Sequence, residues 1–262
     1  MTVAEGHWGD LSRRLVTGGI TAILGFWIMW LGGHPFHALV ALVAGLMVWE
    51  IARMVGVTEL AVACGLVGGL AMLLLVTYQT LYTWPLLLAP AATGFARLKG
   101  NRATYALYST AVLVAGYGLA VQRDDHGFVW VVWLVLVVIV SDIMGYFVGK
   151  AIGGPKFWPG ISPGKTWSGT IAGWAGAALV GLAFVLLANA GLELVAISIL
   201  VAIAGQAGDV AESALKRRAG VKDSSSLLPG HGGLCDRFDS LLGASLFVLA
   251  AGQVIEFPAR IG

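Results

Sequence analysis

Apolar stretches long enough to cross a lipid bilayer recur from one end of this chain to the other, separated by short polar breaks. At about 1.5 Å of rise per residue, roughly 20 such residues bridge a hydrocarbon core about 30 Å thick. Hydrocarbon offers the backbone no hydrogen-bond partners, so each stretch must satisfy its own amides, as a helix does. Of the 262 residues, 58% are hydrophobic and 11% charged, with a mean hydropathy of +0.85, which excludes an ordinary water-soluble globule. The expected fold is therefore all-α: a polytopic membrane helical bundle, forming one integral membrane domain over residues 1–262.

Reading apolar runs between polar breaks gives nine spans, at 15–31, 37–53, 59–77, 80–96, 103–121, 127–149, 167–189, 192–215 and 240–257. The fourth contains Pro85 and Pro90, which interrupt a helix. The first lacks a small-residue cleavage site, so it is expected to be retained rather than removed as a signal peptide. With the N-terminus in the cytoplasm and the C-terminus outside, fourteen of the sixteen Lys and Arg fall in cytoplasmic segments; Arg123 and Arg260 do not. That asymmetry is what the positive-inside tendency produces. The two cysteines, Cys64 and Cys235, show neither disulfide nor metal-site spacing and are expected to be structural thiols.

Two cytoplasmic loops, 150–166 and 216–239, exceed what orientation needs: both are rich in Gly, Pro and Ser and mix acids with bases. At the end of the eighth span, Asp209, Glu212 and Lys216 are spaced to share one helix face. Carboxylates close to membrane depth are costly unless they face a partner, a metal or a watery cavity. An internal Glu212–Lys216 pair that only solvates the helix end is the plainer alternative. The chain continues through Lys222 and Asp223 to Pro229-Gly230-His231-Gly232-Gly233, then Asp236, Arg237 and Asp239. The glycines suit a bent backbone whose amides can approach phosphate oxygens. Asp236 and Asp239, three apart at the entrance to the ninth helix, offer the hard oxygens that Mg²⁺ takes together with substrate phosphates; helix capping is the rival role. A third group holds Asp142, Tyr146 and Gly149 at helical spacing in the sixth span. It continues into Lys165 and Thr166 at the start of the seventh helix, where a phosphate can sit.

Elsewhere, Glu50 and Arg53 read as a mutual pair at the cytoplasmic edge, and His34 and His37 as interfacial residues at the first outer turn. The Trp residues near span ends read as an aromatic belt.

The run Ser213-x-x-Lys216-Arg217-x4-Lys222-Asp223-x5-Pro229-Gly230-His231-Gly232-Gly233-x-x-Asp236-Arg237-x-Asp239 resembles the signature of phosphatidate cytidylyltransferases, also called CDP-diacylglycerol synthases. It covers 27 residues without a gap, and the 141–169 region is similar to the same family. Position 168 departs from it, with Ser where Glu is expected in many relatives. The resemblance implies transfer of a cytidylyl group from CTP to phosphatidate at the inner face of the cytoplasmic membrane, with a catalytic part at roughly 140–245. Implied catalytic residues are Asp223, Asp236, Asp239 and Lys222. Asp223, Asp236 and Asp239 form the implied first metal shell, with Asp142 and Asp209 as additional ligands of Mg²⁺ and room for a second cation. Lys216, Arg217, Arg237, His231, Gly232, Gly233, Ser213, Lys165, Thr166 and Tyr146 would bind substrate. CTP, phosphatidate, the bilayer and a second copy of the chain in a homodimer are the implied partners, and no nucleic acid is expected. Two other readings stay open at this point: an ion- or proton-coupled transporter using Asp142, Asp209 and Glu212 as a relay, and a related CTP-using lipid enzyme.

Overall fold

The computed structural model describes residue 19 and residues 22–97, 101–227 and 232–255. The first part of the 15–31 span, Arg13, Arg14, Lys99, Arg260 and the Pro229-Gly230-His231 segment lie outside the described residues. The chain forms helices α1 (Ala22–Leu31), α2 (Gly33–Met54), α3 (Ala61–Tyr78), α4 (Ala89–Arg97), α5 (Arg102–His126), α6 (Phe128–Ile152), α7 (Trp167–Leu187), α8 (Glu193–Ala219) and α9 (Cys235–Ala251). Six of them, α2, α3, α5, α6, α7 and α8, are long and apolar enough to cross a membrane. α9 has 17 residues.

The fourth expected span takes a different form. Leu81–Leu88 is a 3₁₀ helix with Pro85 inside it, and only Ala89–Arg97 is α-helical. Proline lacks the amide that an α-helix needs and clashes with the preceding turn, so the segment winds more tightly and breaks in two. The 150–166 loop holds a further element that spacing did not suggest: an antiparallel hairpin of β1 (Lys156–Trp158) and β2 (Ser162–Thr166). Its turn is Pro159-Gly160, closed by Ile161 N–H donating to the Trp158 carbonyl at 3.2 Å. Pro-Gly is a turn signal legible in the sequence. α7 begins directly after β2 because Thr166 caps it, its Oγ1 accepting from Gly169 N–H at 3.2 Å.

Packing divides the bundle into two apolar cores. One gathers α2, α3 and α5 around Met47, Val48, Ile51, Met72, Leu75 and Leu113. The other gathers α6, α7, α8 and α9 around Trp133, Leu134, Val137, Ala177, Val201 and Ala244. α9 belongs to both, since Cys235 sits in the first core and Val248 in the second. On the far side from the long loops, His37 is buried and bonded to Asp124 at 2.7 Å, so it is an interhelical partner rather than an interfacial ring.

α8 and α9 meet backbone to backbone. A Cβ at Gly243 would collide with the Ala204 carbonyl, and one at Gly208 would overlap the Asp239 carbonyl. Small residues permit such an approach in lipid, where close van der Waals contact drives association. Gly243→Val is expected to separate the pair, lowering stability by about 1–3 kcal/mol and reducing the folded fraction recovered by size-exclusion chromatography.

Candidate functional site

Close approach of α8 to α9 places Asp209 and Asp239 side by side, and α6 brings Asp142 to the same place. Asp142 lies ten residues before Ile152, and Asp209 ten before Ala219. Both therefore sit about 15 Å inside their helix ends. Asp239 is in the first turn and a half of α9. The charges of Asp142, Asp209 and Asp239 act on one another, and Asp142 neighbours the Ser240 hydroxyl. Lys165, on β2, forms an ion pair with Asp209. Ser213 Oγ donates to Asp209 Oδ1 at 3.3 Å. Asp142 is exposed, and Asp209 and Asp239 are half-buried, so the group is not sealed inside the bundle.

Like charges this close favour a bound cation, and carboxylate oxygens are the donors that Mg²⁺ accepts. Among the described residues no group of three or more His, Cys, Asp or Glu side chains is placed to hold a metal ion by itself. Mg²⁺ does not require one, because it commonly takes one or two carboxylates and completes its shell with water and substrate phosphates. The donor set of Asp142, Asp209 and Asp239 fits that pattern.

A second constellation lies beside the first. Lys216 Nζ sits 2.5 Å from Glu212 Oε2 and 2.6 Å from Asp236 Oδ1, and all three side chains are largely buried. The Glu212–Lys216 pair expected as a plain helix-end contact is present, but Asp236 joins it. Asp236 Oδ2 accepts from Ser224 N–H (2.9 Å), Ser224 Oγ (2.9 Å) and Gly233 N–H (2.8 Å). Both oxygens of Asp236 are thus engaged by protein groups. The structure does not draw Asp223, Asp236 and Asp239 into one shell: Asp236 belongs with Lys216, Asp239 belongs with Asp142 and Asp209, and Asp223 is exposed on the loop after α8.

The paired glycines prove to serve carboxylates. Gly232 has φ +80°, and a Cβ there would lie 2.7 Å from Asp236 Oδ2. A Cβ at Gly233 would collide with Ser224 Oγ and Glu50 Oε1. The Gly233 amide is spent on Asp236 rather than left for a phosphate.

Glu50 corrects the reading from sequence. It is fully buried, 0% exposed, and its carboxylate takes hydrogen bonds from Ser225 Oγ (2.6 Å), Cys235 N–H (2.7 Å), Leu234 N–H (2.9 Å) and Ser224 Oγ (3.1 Å). Arg53 instead lies over the Trp49 ring, 5.0 Å from its centroid. Spacing suggested a local pair, whereas burial made the carboxylate seek the loop donors. Ser224 and Ser225 were missed with it; the available signal was an acid inside an apolar span.

The remaining expected residues are distributed around these two groups. Arg217, Lys222 and Arg237 are exposed at the end of α8, on the loop and in the first turn of α9. Thr166 is buried, with its hydroxyl used in the α7 cap and near Ser168 Oγ at 3.0 Å. Ser168, standing where an acid is common in the resembled family, donates to the Gly153 carbonyl at 2.5 Å and ties the two ends of the hairpin together. Tyr146 is 62% exposed, packed edge-on against Phe147 and beneath Lys150 Nζ. His231 lies outside the described residues.

Comparison with known proteins agrees with the signature. The profile described as "Cytidylyltransferase family" matches residues 12–255. A protein named phosphatidate cytidylyltransferase from Brucella abortus biovar 1 (strain 9-941) is 34% identical over 95% of this chain and 96% of its own length. One of the same name from Bacillus subtilis (strain 168) is 31% identical over 89% of this chain and 94% of its own. A third, from Staphylococcus aureus (strain COL), is 36% identical over 53% of this chain and 55% of its own. A signature loop latched to the ends of three helices, and a likeness that runs nearly end to end, lead to one statement: this chain belongs to the cytidylyltransferase family.

Proposed function

We propose that this chain is a phosphatidate cytidylyltransferase, converting CTP and phosphatidate to CDP-diacylglycerol and pyrophosphate for phospholipid synthesis. The carrying observation is the likeness, over 95% of the chain, to proteins bearing that name. In the reaction a phosphate oxygen of the lipid attacks the α-phosphorus of CTP, and the bond from that phosphorus to the oxygen bridging to the β-phosphate breaks, releasing pyrophosphate. The nucleophile is already an anion, so no strong general base is needed. Alignment and neutralisation of charge supply the rate.

The inner ends of α6, α8 and α9 carry groups suited to that work. Lys165 already offsets Asp209. The exposed Arg217, Lys222 and Arg237 hold phosphate oxygens of CTP and lipid, and Asp223 offers a further carboxylate from the loop. Lys216 and Asp236, bound to each other, set the spacing between α8 and α9. Asp142, Asp209 and Asp239 would hold Mg²⁺, which when bound supplies positive charge against the triphosphate.

The same reading gives the chain nine membrane crossings, with its N-terminus and the Asp142, Asp209 and Asp239 group on the cytoplasmic side of the inner membrane. Fourteen of sixteen basic residues support that orientation. CTP is a solute of that compartment, and the phosphatidate headgroup lies at its interface. The test is direct: purified protein with phosphatidate, Mg²⁺ and CTP labelled at the α-phosphorus should transfer label to the lipid fraction. Absence of labelled lipid would overturn the proposal.

A further inference from the structure

We infer that Glu50, on α2 and outside the catalytic half of the bundle, is a positioning residue for the phosphate-handling loop. It acts as the latch that joins Ser224 and Ser225 to the start of α9 at Leu234 and Cys235. This rests on the reading that the loop serves CTP.

The geometry is that of a helix cap supplied from elsewhere. The first amides of α9 have no capping side chain of their own, because the residue at the cap position is Leu234. Glu50 fills that role from far away in the sequence, its Oε1 accepting from Leu234 N–H and its Oε2 from Cys235 N–H. An anion at a helix N-terminus is favoured by the exposed amides and by the helix dipole. Ser225 Oγ and Ser224 Oγ complete four donors on two oxygens. Gly233 is the only residue type that fits, since any Cβ there would overlap Glu50 Oε1.

From Glu50 the contacts run on to the site. The Ser224 hydroxyl lies between Glu50 Oε2 (3.1 Å) and Asp236 Oδ2 (2.9 Å), while its amide is committed to Asp236. Asp236 holds Lys216, and Lys216 holds Glu212. Moving Ser224 therefore moves the partner of Lys216. The loop that is latched also carries Lys222 and Asp223, both exposed. If α2 and α9 needed only to be joined, an apolar pair would do it at lower desolvation cost. A buried carboxylate with serine, glycine and backbone arranged around it holds a polar loop in one geometry.

The experiment uses the full chain in lipid nanodiscs and the nearly isosteric Glu50→Gln, which turns an acceptor oxygen into a donor facing donors. Tryptic cleavage at Arg217 and Lys222 should accelerate at least about tenfold, because loss of bonds to a charged acceptor opens the loop locally. Cleavage at Lys156 in the hairpin should stay unchanged. The KM for CTP should rise at least about tenfold, with the KM for phosphatidate little altered. Ser225→Ala, which removes one donor, should give the same pattern at smaller size and stands in if Glu50→Gln does not fold. Uniform acceleration of cleavage at all sites, unchanged cleavage at Arg217 and Lys222, or a lower kcat with unaltered KM would overturn the inference. The proteolysis reports on the latch without any substrate. Failure of the wild-type protein to label lipid would instead defeat the assigned reaction.

Discussion

Asp239→Asn is expected to lower turnover by at least about a hundredfold, the scale of loss when one well-placed electrostatic group is removed from a reacting centre, while leaving the protein folded. The two halves of that result come from the same geometry. Asp239 faces the like charges of Asp142 and Asp209 where α6, α8 and α9 meet, and Lys165 pairs with Asp209. A group arranged to repel itself is not there for stability. Neutralising one member relieves the repulsion, so the melting temperature should hold or rise as activity falls. Label transfer and thermal unfolding on one preparation check both. Near-normal turnover would remove Asp239 from the catalytic group.

Lys216→Met should do the opposite, damaging stability as much as activity. Lys216 Nζ is the shared partner of Glu212 and Asp236, whose side chains are 8% and 10% exposed. Without it, two buried carboxylates face one another uncompensated, a loss of about 3–5 kcal/mol. Thermal unfolding should shift downward by more than about 5 °C. Adding Glu212→Gln removes one of the stranded charges and should restore part of the loss, which a double-mutant cycle measures. Additive effects would contradict the shared pairing. Lys216 was expected from sequence to grip substrate phosphate; its position makes it the strut between α8 and α9.

Much of the fold was legible because membrane helices are written in composition. Six of the nine apolar runs match long apolar helices closely, the ninth starts and ends earlier than its run, as Cys235–Ala251, the first is described only from Ala22, and the fourth departs where Pro85 turns it into a 3₁₀ segment. The site was legible in part. The signature named Asp239, helix-face spacing picked out Asp209, the 141–169 group held Lys165, and Asp142 stood out as an acid in an apolar span, but spacing along the chain did not say which acids would meet. Asp236 and Asp239 lie three apart, yet Asp236 turns to Lys216 and the loop amides while Asp239 turns to α6 and α8. Glu50 was the clearest miss. Its partners are more than 170 residues away, and Arg53 nearby offered a local explanation that burial overruled. Long-range hydrogen bonds leave no periodic trace, whereas hydrophobic faces do.

The central claim is that carboxylates from α6, α8 and α9 converge on one cation-and-phosphate centre. Mn²⁺ in place of Mg²⁺, followed by electron paramagnetic resonance in the presence of CTP, tests it on the wild-type chain and on the Asp142→Asn/Asp239→Asn double variant. The account predicts a bound signal in the wild type and affinity at least about tenfold weaker in the variant. Equal Mn²⁺ affinity in the two proteins would contradict it.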